Sequence, residues 1–208
     1  MDHNQGFYQF SSEGYMTTFA VGADIFKNAL WKNDPISIER RRLYDYLIDG
    51  DYPEWLEFPV VFHRLAGDPG KKLRDIIDTR YLHMHLISGR LKSLLEENGI
   101  TGWKTYPVQV YNEGKMVESP YYRGLSITGR GGYVLDEQTM DKKTRRTRKS
   151  TYDTSQWDGA DFFLTGKKKD GQVINEFFYL MATKKAAKII RDAGIETIFN
   201  IWLVDEWI

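Results

Sequence analysis

The feature that most constrains this chain is a local pattern that occurs twice. Strand-forming residues end on a hydroxyl side chain, helix-spaced apolar residues follow, a glycine stops them, and strand-forming residues resume. The first occurrence runs from Tyr81 to Val110: Ser88 closes the strand, Leu91, Leu94 and Leu95 share one helix face, Gly99 follows the helix, and Trp103 opens the next extended stretch. The second begins at Phe177, with Thr183, then Ala186, Ile189 and Ile190, then Gly194, then Thr197 to Val204. Both caps and both glycines lie 95 residues apart. A hydroxyl at the cap accepts an N–H of the first turn, and glycine takes the left-handed conformation that ends a helix, so each segment specifies its own boundaries. Gly99/Gly194 and Ile100/Ile195 are the identical pairs among the central positions, so common descent and two ordinary units both remain open. Strands outnumber helices and several connections are short, which favours α+β: a mixed, largely antiparallel sheet with flanking helices and two similar strand–helix–strand units.

Elsewhere the reading is coarser. Phe7 to Phe10 and Tyr15 to Val21, separated by the turn-rich Ser11 to Gly14, predict an antiparallel pair. Asp34-Pro35 predicts a helix start; Ile36, Leu43, Leu47 and Ile48 continue at helical spacing and Gly50 ends the run. Phe58 to Phe62 resembles a short strand, and the turn Gly67 to Gly70 precedes a short helix through Leu73, Ile76 and Ile77. Tyr121 to Thr128 and Asp161 to Leu164 are extended. The turn at Gly67 divides an N-terminal strand/helix module, residues 1–66, packed on the rest, from an α+β region, residues 67–208.

With 208 residues, 41% of them apolar, the chain can bury roughly 70% of its unfolded surface. It contains no cysteine, which excludes disulfides, thiolate zinc sites and thiol nucleophiles. Uncharged runs stop at ten residues and the first basic residue is Lys27, so neither a membrane span nor a secretory leader is expected, and the expected location is the cytoplasm.

Basic and acidic residues number 29 each, but they are segregated. Lys142 to Lys149 carries six positive charges and no acid, whereas Asp45, Asp49, Asp51, Glu54 and Glu57 fall in a stretch without a base. A solvated face accounts for such runs. The sharper reading makes the acidic stretch, interleaved with Tyr44, Tyr46, Tyr52 and Trp55, a docking patch for a basic partner. The basic run holds no aromatic residue to stack on a base and reads as a loop; a nucleic-acid partner is not expected.

Four motifs bear on chemistry. His83 and His85 alternate with apolar residues, so a strand would place both imidazoles on one polar face; zinc would need a third ligand, such as His63 or a carboxylate. Gly124 to Gly129 is one residue too long for a nucleophile elbow, and Gly129-Arg130-Gly131-Gly132 lacks the lysine and helix start of a phosphate loop. Both read as tight turns, from which Arg130 projects as a contact residue. In Trp157-Asp158-Gly159-Ala160-Asp161-Phe162-Phe163 two carboxylates stand at positions suited to acid–base work, but Asp158-Gly159 is equally a turn, and Asp161 is equally a strand-entry residue bonded to backbone amides.

In this order, the cap and helix of Ser88 to Asn98, Gly99 to Trp103 with Tyr106-Pro107-Val108, the Gly124 to Arg130 run, the Trp157 heptad and the second cap and helix resemble the immunity-protein family encoded beside bacterial polymorphic toxins. The likeness covers Gly70 to Val204. It departs at Ala160, where serine is more usual, and at Lys142 to Lys149, which has no counterpart. The resemblance implies a non-catalytic protein that neutralises a cognate protein toxin by binding it, with no cofactor and no metal. The partner-binding candidates are Asp45, Asp49, Asp51, Glu54, Trp55, Arg130, Trp157, Asp158 and Asp161. The rival reading is a metal-dependent hydrolase using the His83/His85 face with Asp158 or Asp161.

Overall fold

A computed structural model describes residues 7–12, 17–26, 43–79, 81, 83–137, 150–169, 171–195 and 199–203. The chain is mixed α+β, built on two sheets. Its elements are β1 (Phe7–Ser12), β2 (Val21–Ala23), a helix α1 described over residues 43–49, β3 (Val60–Arg64), β4 (Ile76–Asp78), β5 (His85–Ser88), α2 (Gly89–Glu97), β6 (Trp103–Asn112), β7 (Lys115–Met116), β8 (Tyr122–Ile127), β9 (Gly129–Glu137), β10 (Ser150–Trp157), β11 (Phe162–Lys169), β12 (Gln172–Thr183), α3 (Lys184–Asp192) and β13 (Phe199–Leu203). One sheet has the order β2-β3-β6-β8-β5-β4, with β7 paired to β6; the other has the order β10-β9-β11-β12-β1-β13. The β3–β6 and β9–β11 pairs are parallel and the others antiparallel.

The two helices begin where their hydroxyls stand. Ser88 Oγ accepts the Leu91 N–H at 3.1 Å and Thr183 Oγ1 accepts that of Ala186 at 3.4 Å. Gly99 and Gly194 follow the helices at φ +57° and +60°. Leu91, Leu95, Ala186 and Ile190 point inward and join one core that also takes Leu47 and Ile48 from α1 and Phe62, Ile77, Ile127, Leu164 and Leu180 from both sheets. A smaller cluster on the other side of β12 holds Phe7, Phe163 and Met181, with Trp157 and Tyr179 against it.

Three expectations need correction. Phe7–Ser12 does not pair with the segment that follows it. It lies between β12 and β13, with Phe7 opposite Thr183 and Tyr8 opposite Leu203, while Val21–Ala23 pairs with β3 in the other sheet. Distant apolar strands therefore won over the nearby turn signal. Ile76 and Ile77 lie in a strand opposite Ile87 and Leu86, not in a helix. Two β-branched residues with almost no exposure, 3% and 0%, suit a short buried strand better than a helical face. Gly124–Ile127 and Gly129–Gly132 lie within β8 and β9 and are not turns. A Cβ at Gly124 would enter the Tyr106 ring and one at Gly131 the Phe163 ring, so these glycines mark close packing across a strand.

The strands of residues 1–66 are hydrogen-bonded into sheets built with later residues: β3 with β6, β1 with β12 and β13. Leu43, Leu47 and Ile48 are buried on α1, which ends before Gly50. The Asp34-Pro35 start and the run Lys142 to Lys149 lie outside the described residues.

Candidate functional site

The acidic stretch begins on α1 and continues into an irregular segment with a turn at Glu54–Trp55, closed by Leu56 N–H donating to the Pro53 carbonyl at 2.9 Å. Leu47 and Ile48 hold the helix down. The segment after it is fixed by Tyr52, whose hydroxyl bonds Ser126 Oγ on β8 at 2.7 Å, and Ser126 Oγ in turn donates to the Leu47 carbonyl. Burial pushes the Tyr52 phenol up to about 12, with the Ser126 hydrogen bond working in the opposite direction. The phenol therefore stays neutral and available as a fixed anchor. Tyr52 also packs edge-on against Phe58 and Tyr106, at 5.4 and 5.8 Å between ring centres.

Above this anchored base, Asp45, Asp51, Glu54 and Glu57 are exposed. Trp55 is 59% exposed, with Tyr46 against it at 6.1 Å. Asp49 is half-buried; its Oδ1 accepts the Asp51 N–H at 2.8 Å.

The structure joins this patch to two other candidates. Arg130, at the start of β9, places Nη2 3.9 Å from Asp49 Oδ2, and its Nη1 donates to the carbonyls of Ile127 and Gly129. Its backbone N–H donates to Asp158 Oδ2 at 2.8 Å, while the Asp158 N–H donates back to the Arg130 carbonyl at 3.0 Å. Asp49, Arg130 and Asp158 thus form one connected surface from segments far apart in sequence. Trp157 borders it and faces inward, edge-on to Phe7 at 4.9 Å, with Nε1 donating to the Ala160 carbonyl at 3.0 Å.

Asp161 is placed differently. It is 8% exposed, and its carboxylate accepts from the Thr101 N–H, Thr101 Oγ1, Thr183 Oγ1 and Lys185 Nζ, at 2.8 to 3.3 Å. Those bonds tie the start of α3 to the loop after α2, a structural task. Sequence reasoning missed Lys104, whose ammonium lies 4.4 Å from the centre of the Tyr52 ring and adds a positive charge beside the acids. The available signal was its place on β6 two residues before Tyr106, where alternation puts it on the same face as Tyr106, Val108 and Val110 at the strand's exposed end.

The histidine pair departs from expectation. His85 opens β5, but His83 sits in a turn at φ +60°, and both are buried, so no polar strand face presents two imidazoles. Burial, reinforced by the neighbouring His83, holds the His85 imidazole down at about 3. Because that value lies below the ordinary 6.5 of an unfolded chain, the stability that neutral His85 supports is complete above pH 6.5 and is lost as the pH falls towards 3. Urea unfolding across pH 7 to 5 should therefore show uptake of about one proton that His85→Leu abolishes; an identical pH slope in the variant would contradict this.

Among the described residues no group of three or more His, Asp or Glu side chains is placed to hold a metal. His63 stacks on Tyr111 at 5.4 Å. A groove of about 410 Å³ lined by Pro59, Pro107, Val108, Val110, Met116 and Tyr121 includes none of the charged candidates. Among the described residues no helix is long and apolar enough to cross a membrane. Comparison of the chain with protein-family models and with curated proteins gives no match.

Proposed function

We propose that this chain is a non-catalytic binding protein of the immunity type, which neutralises a cognate protein toxin in the cytoplasm by covering a functional surface of it. Its scaffold is a pair of similar strand–helix–strand units. The observation that carries the reading is Trp55: a large aromatic ring, more than half exposed, among four exposed carboxylates on a segment pinned from beneath by Tyr52 and Ser126. Exposed aromatics on a rigid base supply contact area at low entropic cost, and surrounding charge accelerates encounter with a surface of opposite sign.

The experiment takes the toxic domain encoded in the reading frame beside this one and measures its association with the purified chain. Asp49→Lys combined with Asp51→Lys should slow association about tenfold at low salt and flatten its dependence on ionic strength. Unchanged kinetics would remove the acidic segment from the interface.

A further inference from the structure

The two strand–helix–strand segments agree in more than order. β5 and β6 both run antiparallel to β8, which lies between them; β12 and β13 both run antiparallel to β1, which lies between them. β4 flanks β5 as β11 flanks β12, antiparallel in each case. The cap residues face equivalent partners, Ser88 opposite Tyr122 and Thr183 opposite Phe7.

The polar joints also match. Asp75 accepts from Ser88 Oγ at 2.6 Å and from Arg90 at 2.9 Å. Asp161 accepts from Thr183 Oγ1 at 2.8 Å and from Lys185 at 3.3 Å. The backbone repeats the plan: Ser88 N–H to the Asp75 carbonyl at 2.8 Å, Thr183 N–H to the Asp161 carbonyl at 2.9 Å.

The cations then cross over. Arg90, early in α2, donates to the Ala193 carbonyl at the end of α3; Lys185, early in α3, donates to the Gly99 carbonyl just past the end of α2. A contact from i to j repeated from j to i, here to within one residue because Ala193 matches Asn98 at the 95-residue offset, is the mark of a two-fold interface. The difference is chain order, because β8 follows β6 whereas β1 precedes everything. Since Tyr8 lies opposite Leu203, a short link from β13 to β1 would restore the first segment's order.

We infer that the chain is a fused, once-permuted pair of a single module, and that a basic partner surface is recognised where two parts lying outside the module meet: residues 43–58 and the Arg130 end of β9. The helices are engaged with each other and with the shared core. The two additions touch through Asp49 and Arg130, and the first carries Trp55, packed on Tyr46 one helical turn before Asp49. The occupant is a protein surface bearing lysine or arginine, because residues 45–57 offer five acids and no base. This rests on the binding function proposed above and names the surface that performs it.

The test is a charge swap. Asp49→Arg with Arg130→Asp re-forms the pair in reverse, so a purely structural pair predicts that both folding and binding survive. Recognition at the junction predicts a melting temperature close to the parent and a Kd for the co-encoded toxic domain raised at least about tenfold. Trp55→Ala and Glu54→Gln, single changes at exposed side chains, should give losses in the same direction if the double variant folds poorly. Arg90→Gln and Lys185→Gln should each lower the melting temperature by similar amounts and leave Kd unchanged. A swap and single variants that bind like the parent, or clasp variants that fold yet lose affinity, would overturn the inference. A parent chain that binds no co-encoded domain would overturn the proposed function itself.

Discussion

Asp161→Ala should lower the unfolding free energy by about 3 kcal/mol, measured by urea denaturation. The loss has two sources. Thr101 N–H and Thr183 Oγ1 lose the acceptor they share in a site where water has little access, and an unsatisfied buried donor costs about 1–3 kcal/mol. Lys185 adds little to this, because its side chain is 52% exposed and the pair is screened. Asp161→Asn keeps an acceptor at the same place and should cost only about 1 kcal/mol. An alanine variant as stable as the asparagine one would show that the carboxylate is not the tie between α3 and the loop after α2.

Gly124→Val should be as damaging, about 3 kcal/mol or more, for a steric reason. A side chain at Gly124 would occupy the position of the Tyr106 ring, which is 0% exposed and held between Tyr52 and Phe58. The ring cannot withdraw. Gly99→Ala offers a contrast: nothing lies near a Cβ there, but φ is +57°, so the cost is backbone strain of about 1–2 kcal/mol. Reducing the ring with Tyr106→Leu should recover part of the loss in the Gly124 variant and none in the Gly99 variant. Full additivity at both positions would contradict the packing assigned to Gly124.

These two sites mark how far the amino-acid sequence could be read. Ser88, Thr183, Gly99 and Gly194 announce their local structure because a cap and a left-handed glycine are decided within a few residues. Strand partners are decided elsewhere. Nothing near Phe7 signals that it will lie opposite Thr183, and Gly124 looks like a turn until the ring of Tyr106 is found against it. For the candidate site, the carboxylates between Asp45 and Glu57 were visible as a block and Arg130 as an isolated contact residue. Their meeting was not, since it depends on the chain leaving β8 in one sheet and entering β9 in the other, with Arg130 at that crossing. Asp161 shows the converse: a carboxylate suited to chemistry by sequence spends its bonds on Thr101, Thr183 and Lys185.

The central claim is action by occupancy rather than by turnover. Its most direct test is to titrate the co-encoded toxic domain with this chain, at toxin concentrations well above Kd, and follow residual toxin activity. Binding predicts a linear decline that ends at a fixed molar ratio, with activity restored when the complex is dissociated. Progressive and irreversible loss of toxin activity at a small fraction of that ratio would show that the chain acts as a catalyst, and would contradict the account.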